Sequence, residues 1–118
     1  MDTIEMEKTE QYRQLITNVL DEQPALAHMA ADDDVETHAI YDDKRGRYLL
    51  YQIGWSGKKR THSALIYVRI HNGKIWIEED WTEDGITPEL LAAGVPKEDI
   101  VLGFRHPSMR PLTEFAVA

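Results

Sequence analysis

The dipeptide Asn72-Gly73 constrains the fold of this chain more than any other pair of residues. It sits in HNGK (71–74), between a run of alternating apolar residues on one side and IWIEEDW on the other. Both residues tolerate the positive φ that a two-residue type I′ turn demands, so residues 60–70 and 75–81 are predicted to pair as an antiparallel hairpin. Strict alternation puts His62, Ala64, Ile66, Val68 and Ile70 on one face of the first strand, predicted to be the buried face. Leu65, Tyr67 and Arg69 fall on the other.

The hairpin extends upstream. Residues 35–41 and 47–55 read as two more strands, joined by the turns DDKRG (42–46) and SGKK (56–59), and connections this short imply an antiparallel meander. Before them the period changes. Tyr12, Leu15, Ile16, Val19 and Leu20 recur at helical spacing and place one apolar stripe on a helix over residues 2–22. Pro24 ends it, and ALAHMAADDD (25–34) reads as a connector. After the hairpin, Thr87 is a predicted N-cap, Pro88 suits the first helical position, Glu89 favours the positive end of the helix dipole and Gly94 supplies a left-handed stop. Ile86, Leu90 and Leu91 would face the sheet, with Ala93 as a further candidate. Residues 100–104 form an apolar run suited to another strand, and 112–117 carry Phe115 as a docking side chain. The expectation is one α+β domain over 1–118, a mainly antiparallel four- to five-stranded meander covered by an N-terminal helix and a short helix after the fourth strand.

A chain of 118 residues buries between ~60 and ~70% of its unfolded surface, enough for one modest core. The absence of cysteine excludes disulfides and thiolate metal sites and suits a reducing cytoplasm. The N-terminus is charged, and the longest apolar run, 64–68, is far too short to span a membrane, so the chain is read as cytoplasmic with no membrane contact. The net charge of −8 is unevenly spread. Residues 1–43 hold 12 acidic and 2 basic side chains, 44–74 hold 8 basic and none acidic, and 75–118 hold 9 acidic and 3 basic.

No catalytic constellation is legible. His62 and His71 are an odd number of residues apart on or beside one strand, which points them to opposite faces, and His28, His38 and His106 lack ligand spacing. Glu78, Glu79, Asp80, Glu83 and Asp84 can offer oxygens to a hard cation, but Glu79 alternates away from its neighbours and no glycine-shaped calcium loop is present. A solvated acidic turn with a helix-capping role fits them better. Ser56, Ser63 and Ser108 lack a paired base, and GWSG (54–57) is only a turn. The chain reads as a non-enzyme without cofactor or metal.

The basic middle, interleaved with Tyr48, Tyr51, Trp55 and Tyr67, resembles a phosphate-binding stripe with stacking surfaces. A meander weakens that reading. It puts DDKRG and HNGK at one end of the sheet and Lys58, Lys59 and Arg60 at the other, among many carboxylates, so direct DNA binding is disfavoured. Arg60 is better placed to pair with an acidic residue such as Glu79 or Asp80. Trp55 and Trp81 are expected at the same end of the sheet, either covering the helix–sheet seam or forming a partner-binding edge. The edge would comprise Trp55, Arg60, Trp81, Glu83, Asp84, Arg105 and Arg110, the last two from the proline-bounded segment that includes HPSMRP.

The segment IWIEEDWTEDGITPELLAAGVPKEDIVLGFRHPSMRPLTEFAVA (75–118), with YQIGWSGKKR (51–60) and IYVRIHNGKIWIEEDWTEDGI (66–86), resembles the XisI family over about two-thirds of the chain, 41–118. The N-terminal helix fits that family in kind, and residues 24–34 depart most. The resemblance implies an accessory factor, required with XisH for programmed excision of the fdxN DNA element by a separate site-specific recombinase during heterocyst development in cyanobacteria. XisH-like proteins resemble restriction-type endonucleases. The implied role is a non-catalytic module that binds an XisH-like protein. Alternatives are direct binding at element borders through Lys44, Arg45, Arg47 and Lys74, an antitoxin-like inhibitor of a nuclease, or a small hydrolase with a carboxylate metal site at Glu78, Asp80 and Glu83. Homo-oligomerisation stays open.

Overall fold

The structure, a computed structural model, describes residues 3–27 and 34–118. Helix α1 (Thr3–Asp21) is followed by a single turn, α2 (Pro24–Ala27). Five strands form one sheet in sequence order: β1 (Asp34–Asp42), β2 (Arg47–Ser56), β3 (Lys59–His71), β4 (Lys74–Asp80) and β5 (Ile100–Leu102). The first four are antiparallel, as expected, and α3 (Thr87–Ala92) follows β4. Because the chain crosses through α3 before returning, β5 pairs parallel to β4 and the meander ends there. The residues read as a connector contain α2, and 28–33, with His28, lie outside the described residues.

The core is the interface between α1, α3 and one sheet face. Tyr12, Ile16 and Leu20 are buried at helical spacing, with Leu15 and Val19 packed at the margin, so the predicted stripe is the docking face. They meet Tyr48 and Leu50 of β2, Ile66 and Val68 of β3, and Ile75 and Ile77 of β4. Each such side chain contributes roughly 1.5–3 kcal/mol on leaving water. Gln23, the buried polar residue among those described, is satisfied: its amide donates to the Val19 carbonyl at 3.0 Å and to Glu89 Oε2 at 2.8 Å, tying the end of α1 to α3. Phe115 packs against this core as expected.

Asn72 and Gly73 adopt φ of 52° and 73°, the type I′ signature, and close β3 onto β4. Alternation nevertheless fails twice. An extra residue, Leu65, sits between the pairs Leu50↔Ile66 and Tyr51↔Ala64. Leu65 packs against the core, while His62 and Ala64 are thrown onto the face predicted for Leu65. A second bulge at Glu78 lies between Val68↔Ile77 and Tyr67↔Glu79. Through it Glu78 and Glu79 share a side of the sheet, and Glu78 accepts a hydrogen bond from Arg69 Nε at 3.1 Å. Opposite faces therefore do not separate His62 from His71. Nine residues of strand do, about 30 Å.

Helix α3 begins without the Thr87 cap. Its N-cap is Ile86, and the capping carboxylate comes from upstream. Asp80 Oδ2 accepts from Ile86 N at 2.7 Å, while Oδ1 accepts from Thr82 N at 3.1 Å and Thr82 Oγ1 at 2.6 Å. At the far end Gly94 has φ 102°, Val95 N donates to the Leu90 carbonyl and Gly94 N to the Leu91 carbonyl, a Schellman stop with Val95 and Leu90 both buried. Leu90 faces the sheet as expected, and Ala93 is exposed. Replacing Asp80 by alanine strands two backbone N–H groups and is expected to cost about 2–3 kcal/mol in urea unfolding, with Asp80→Asn retaining part of it; a loss under 0.5 kcal/mol would show that the turn holds itself.

Three phenol–carboxylate bonds fasten the periphery. Tyr12 donates to Asp99, which also pairs with Lys8 at 2.7 Å, Tyr41 donates to Asp21 at 2.7 Å and Tyr48 to Asp43 at 2.8 Å. Burial first, then the anionic acceptor, pushes all three phenols above their ordinary range; Arg13 partly opposes this at Tyr48. A raised folded pKa means that this stability is fully present below the ordinary phenol pKa of about 10 and is lost as pH climbs past it. In an absorbance titration at 295 nm, three of the five tyrosines should ionise only in the step where far-ultraviolet ellipticity collapses. Ionisation of all five before that step would contradict the three bonds.

Candidate functional site

The residues expected to form one partner edge occupy three places. Trp81 extends from β4, its backbone N–H held by the Leu65 carbonyl at 2.9 Å and its indole N–H donating to Glu79 Oε2 at 2.8 Å. Held at both points, the ring is 74% exposed. Beside it lies Phe104, 47% exposed, which enters just after β5 with its N–H on the Ile77 carbonyl, and the Arg105 guanidinium stands 5.4 Å over the Phe104 ring. Glu78, Glu79, Asp80, Trp81, Phe104 and Arg105 line one cleft of about 440 Å³. Glu83 and Asp84 are exposed in the turn that follows, whose shape Asp80 sets.

Trp55 and Arg60 are elsewhere. They face each other across the β2–β3 pair, the guanidinium 5.3 Å over the indole and donating to the Gly54 carbonyl, not to Glu79 or Asp80. Trp81 is anchored at Leu65, five residues along β3 from Arg60, roughly 16 Å at the strand rise. The two tryptophans do end strands running in the same direction. However, β3 carries β2 well past the end of β4, so they do not meet. Trp55 is 49% exposed, and neither ring covers the helix–sheet seam.

Arg110 is an internal brace. It donates to the carbonyls of Arg105, Gly103 and Val117 and lies 5.2 Å over Trp76, whose ring also has Arg69 at 4.7 Å. Phe104 is the side chain that sequence reasoning missed as part of a site. The apolar run 100–104 reads as strand throughout, and the signal for the exposure of Phe104 is Gly103 immediately before it and the charged Arg105-His106 after it.

Two further concavities bear on function. Arg13, Lys44 and Arg45 converge with the two turns on a cleft of about 520 Å³, but Arg45 pairs with Asp42 at 3.0 Å. Lys58, Lys59 and Arg60 are at the opposite end of the sheet, and Tyr48 is buried and unavailable for stacking. A groove of about 660 Å³ between α1 and α3 is lined by Leu15, Val19 and neutral amides, with Glu22 and Glu89 at its margin. Among the described residues no group of three histidines or carboxylates is placed to hold a metal ion, and no helix is long and apolar enough to cross a membrane.

The sequence pattern of the XisI family, described as XisI protein, matches residues 6–117. The chain belongs to the XisI family. A crystal structure of the fdxN element excision controlling factor XisI from Anabaena variabilis ATCC 29413 is 46% identical to it, superposes with a TM-score of 0.82 and covers 94% of this chain and 99% of its own. A XisI-like protein from the same organism is 34% identical, with a TM-score of 0.84 and coverage of 93% and 99%. No functionally curated protein matches. The α+β architecture read from the residues is thus the architecture of solved XisI structures.

Proposed function

We propose that this chain is a non-catalytic accessory factor of DNA-element excision that works by binding an XisH-like, endonuclease-like protein. Family membership supports the general role, since a relative 46% identical is an excision controlling factor. The observation that carries the binding reading is Trp81. A tryptophan left 74% exposed, fixed by its own N–H and flanked by a second exposed ring and an arginine, has the composition of an interface anchor, where Trp, Tyr and Arg dominate binding energy. Fixing the indole in the free protein removes ordering cost at association. The carboxylates of the cleft beneath it already accept from Arg69, Trp81, Thr82 and Ile86, which supports recognition over chemistry.

Co-expression with an XisH-like protein, followed by size-exclusion chromatography at micromolar concentration, is expected to yield one co-eluting peak. Two separate peaks would contradict the reading.

A further inference from the structure

Among the described residues, no helix packs on the sheet face turned away from α1 and α3 over β1, β2 and β3. Cross-strand pairs share a face, so the register defines what this one displays. Its central column, on β2, is Arg47, Leu49, Tyr51, Ile53 and Trp55, apolar beyond the arginine at one end. The column on β1 is Asp34, Glu36, His38, exposed Ile40 and Asp42, acidic at its ends, with His38 against Glu36 at 2.9 Å. The column on β3 is basic, with Arg60, His62 and Arg69 around Ala64 and Tyr67. The opposite face of the same arm is more polar: beyond the core it carries Thr37, Gln52, Thr61 and Ser63, with Val35 its one large apolar side chain. On the part of the sheet that projects past β4, the apolar side is therefore the uncovered one. The projection is real in the dimensions of the molecule, 49 × 31 × 24 Å with a radius of gyration of 15.3 Å, against ~13.5 Å for a compact chain of this length.

We infer that this face is a homodimer interface, packed against the same face of a second copy about a twofold axis parallel to β2. On the projecting part, acidic Asp34 and Glu36, apolar Ile53 and Trp55, and basic Arg60 and His62 lie side by side and are self-complementary under that rotation. It superimposes β2 on β2 and lays β1 of each copy over β3 of the other at the same level. Asp34 then meets Arg60 of the second copy and Glu36 meets His62, while Ile53 and Trp55 pack across the axis. Isologous contact of this kind closes as a dimer and leaves no free repeat of the surface. Sheets so paired lie about 10 Å apart, the usual aligned sandwich. A heterologous partner would need no such internal balance of columns. Three strands by nine residues give a flat footprint near 400 Å² per copy before side-chain relief is counted, about 800 Å² in total and below the standard size of a stable interface, so the association is weak, no tighter than micromolar.

Sedimentation velocity of the chain alone, from about 1 to 200 μM, tests this without involving any other protein, so its failure leaves the partner reading of Trp81 standing. The expected result is a concentration-dependent monomer–dimer equilibrium. Arg60→Asp and, separately, Ile53→Asp weaken it at least tenfold with unchanged circular dichroism, and the double exchange Asp34→Arg with Arg60→Asp restores it. A monomer at every concentration overturns the inference, as does a dimer indifferent to Arg60→Asp and Ile53→Asp. Single substitutions that break the dimer without rescue by the double exchange overturn the twofold pairing and the inference with it.

Discussion

Ile77→Ala is expected to remove about 2–5 kcal/mol of folding stability, a large share of the roughly 5–15 kcal/mol that holds a domain folded. Ile77 is fully buried on β4 and is paired on both sides, antiparallel to Val68 and parallel to Leu102, while its carbonyl accepts from Phe104 N. It therefore stands where the antiparallel sheet, the parallel addition and the segment carrying Phe104 join. Deleting its outer carbons loses their transfer energy and opens a cavity that three strands hold from closing. Urea unfolding followed by circular dichroism measures the loss. Ile40→Ala provides the internal contrast, since Ile40 is 51% exposed and its truncation should change monomer stability by less than about 0.5 kcal/mol. Equal losses at the two positions would contradict the assignment of the faces.

Trp81→Ala is expected to leave folding stability nearly unchanged and to weaken binding of the proposed XisH-like partner by ~30-fold or more, the scale of a hot spot worth about 2 kcal/mol. The indole contributes no core contact, and its backbone bond to the Leu65 carbonyl survives truncation. What is lost is a large amphipathic surface that a partner would cover. Trp55→Ala should alter partner affinity by less than about threefold, because Trp55 stands roughly 16 Å from the Trp81 cleft by strand register. Titration calorimetry of both variants measures the difference. An equal effect at both positions would return the two rings to one interface and contradict the division into separate surfaces.

The hairpin, the amphipathic helix and the glycine-stopped α3 were legible because each rests on local chemistry: Asn72-Gly73 for the turn, Tyr12, Ile16 and Leu20 for the stripe, Gly94 for the stop. The two bulges were not. Period-two reasoning has no means of registering an extra residue, and one at Leu65 and one at Glu78 were enough to move His62 and Ala64 across the sheet and to put Glu78 beside Glu79. Thr87 had the right chemistry for a cap, but Asp80, six residues before Ile86, reaches the N–H first because the intervening turn folds back. Of the candidate interface, Trp81, Glu83, Asp84 and Arg105 do gather near the end of β4. Trp55 and Arg60 separate from them because strand lengths, 13 residues for β3 and 7 for β4, decide where strand ends meet. Arg110 looked like a surface cation because its acceptors are backbone carbonyls, which leave no trace in side-chain sequence.

Hydrogen–deuterium exchange of this chain, alone and with a saturating XisH-like partner, tests the central claim most directly, since it reports whether binding occurs and where. The account predicts slowed exchange at residues 79–85 and 103–106, around Trp81 and Phe104, with little change at the turns 42–46 and 71–74. Unchanged exchange everywhere, or protection confined to those two turns, would contradict it.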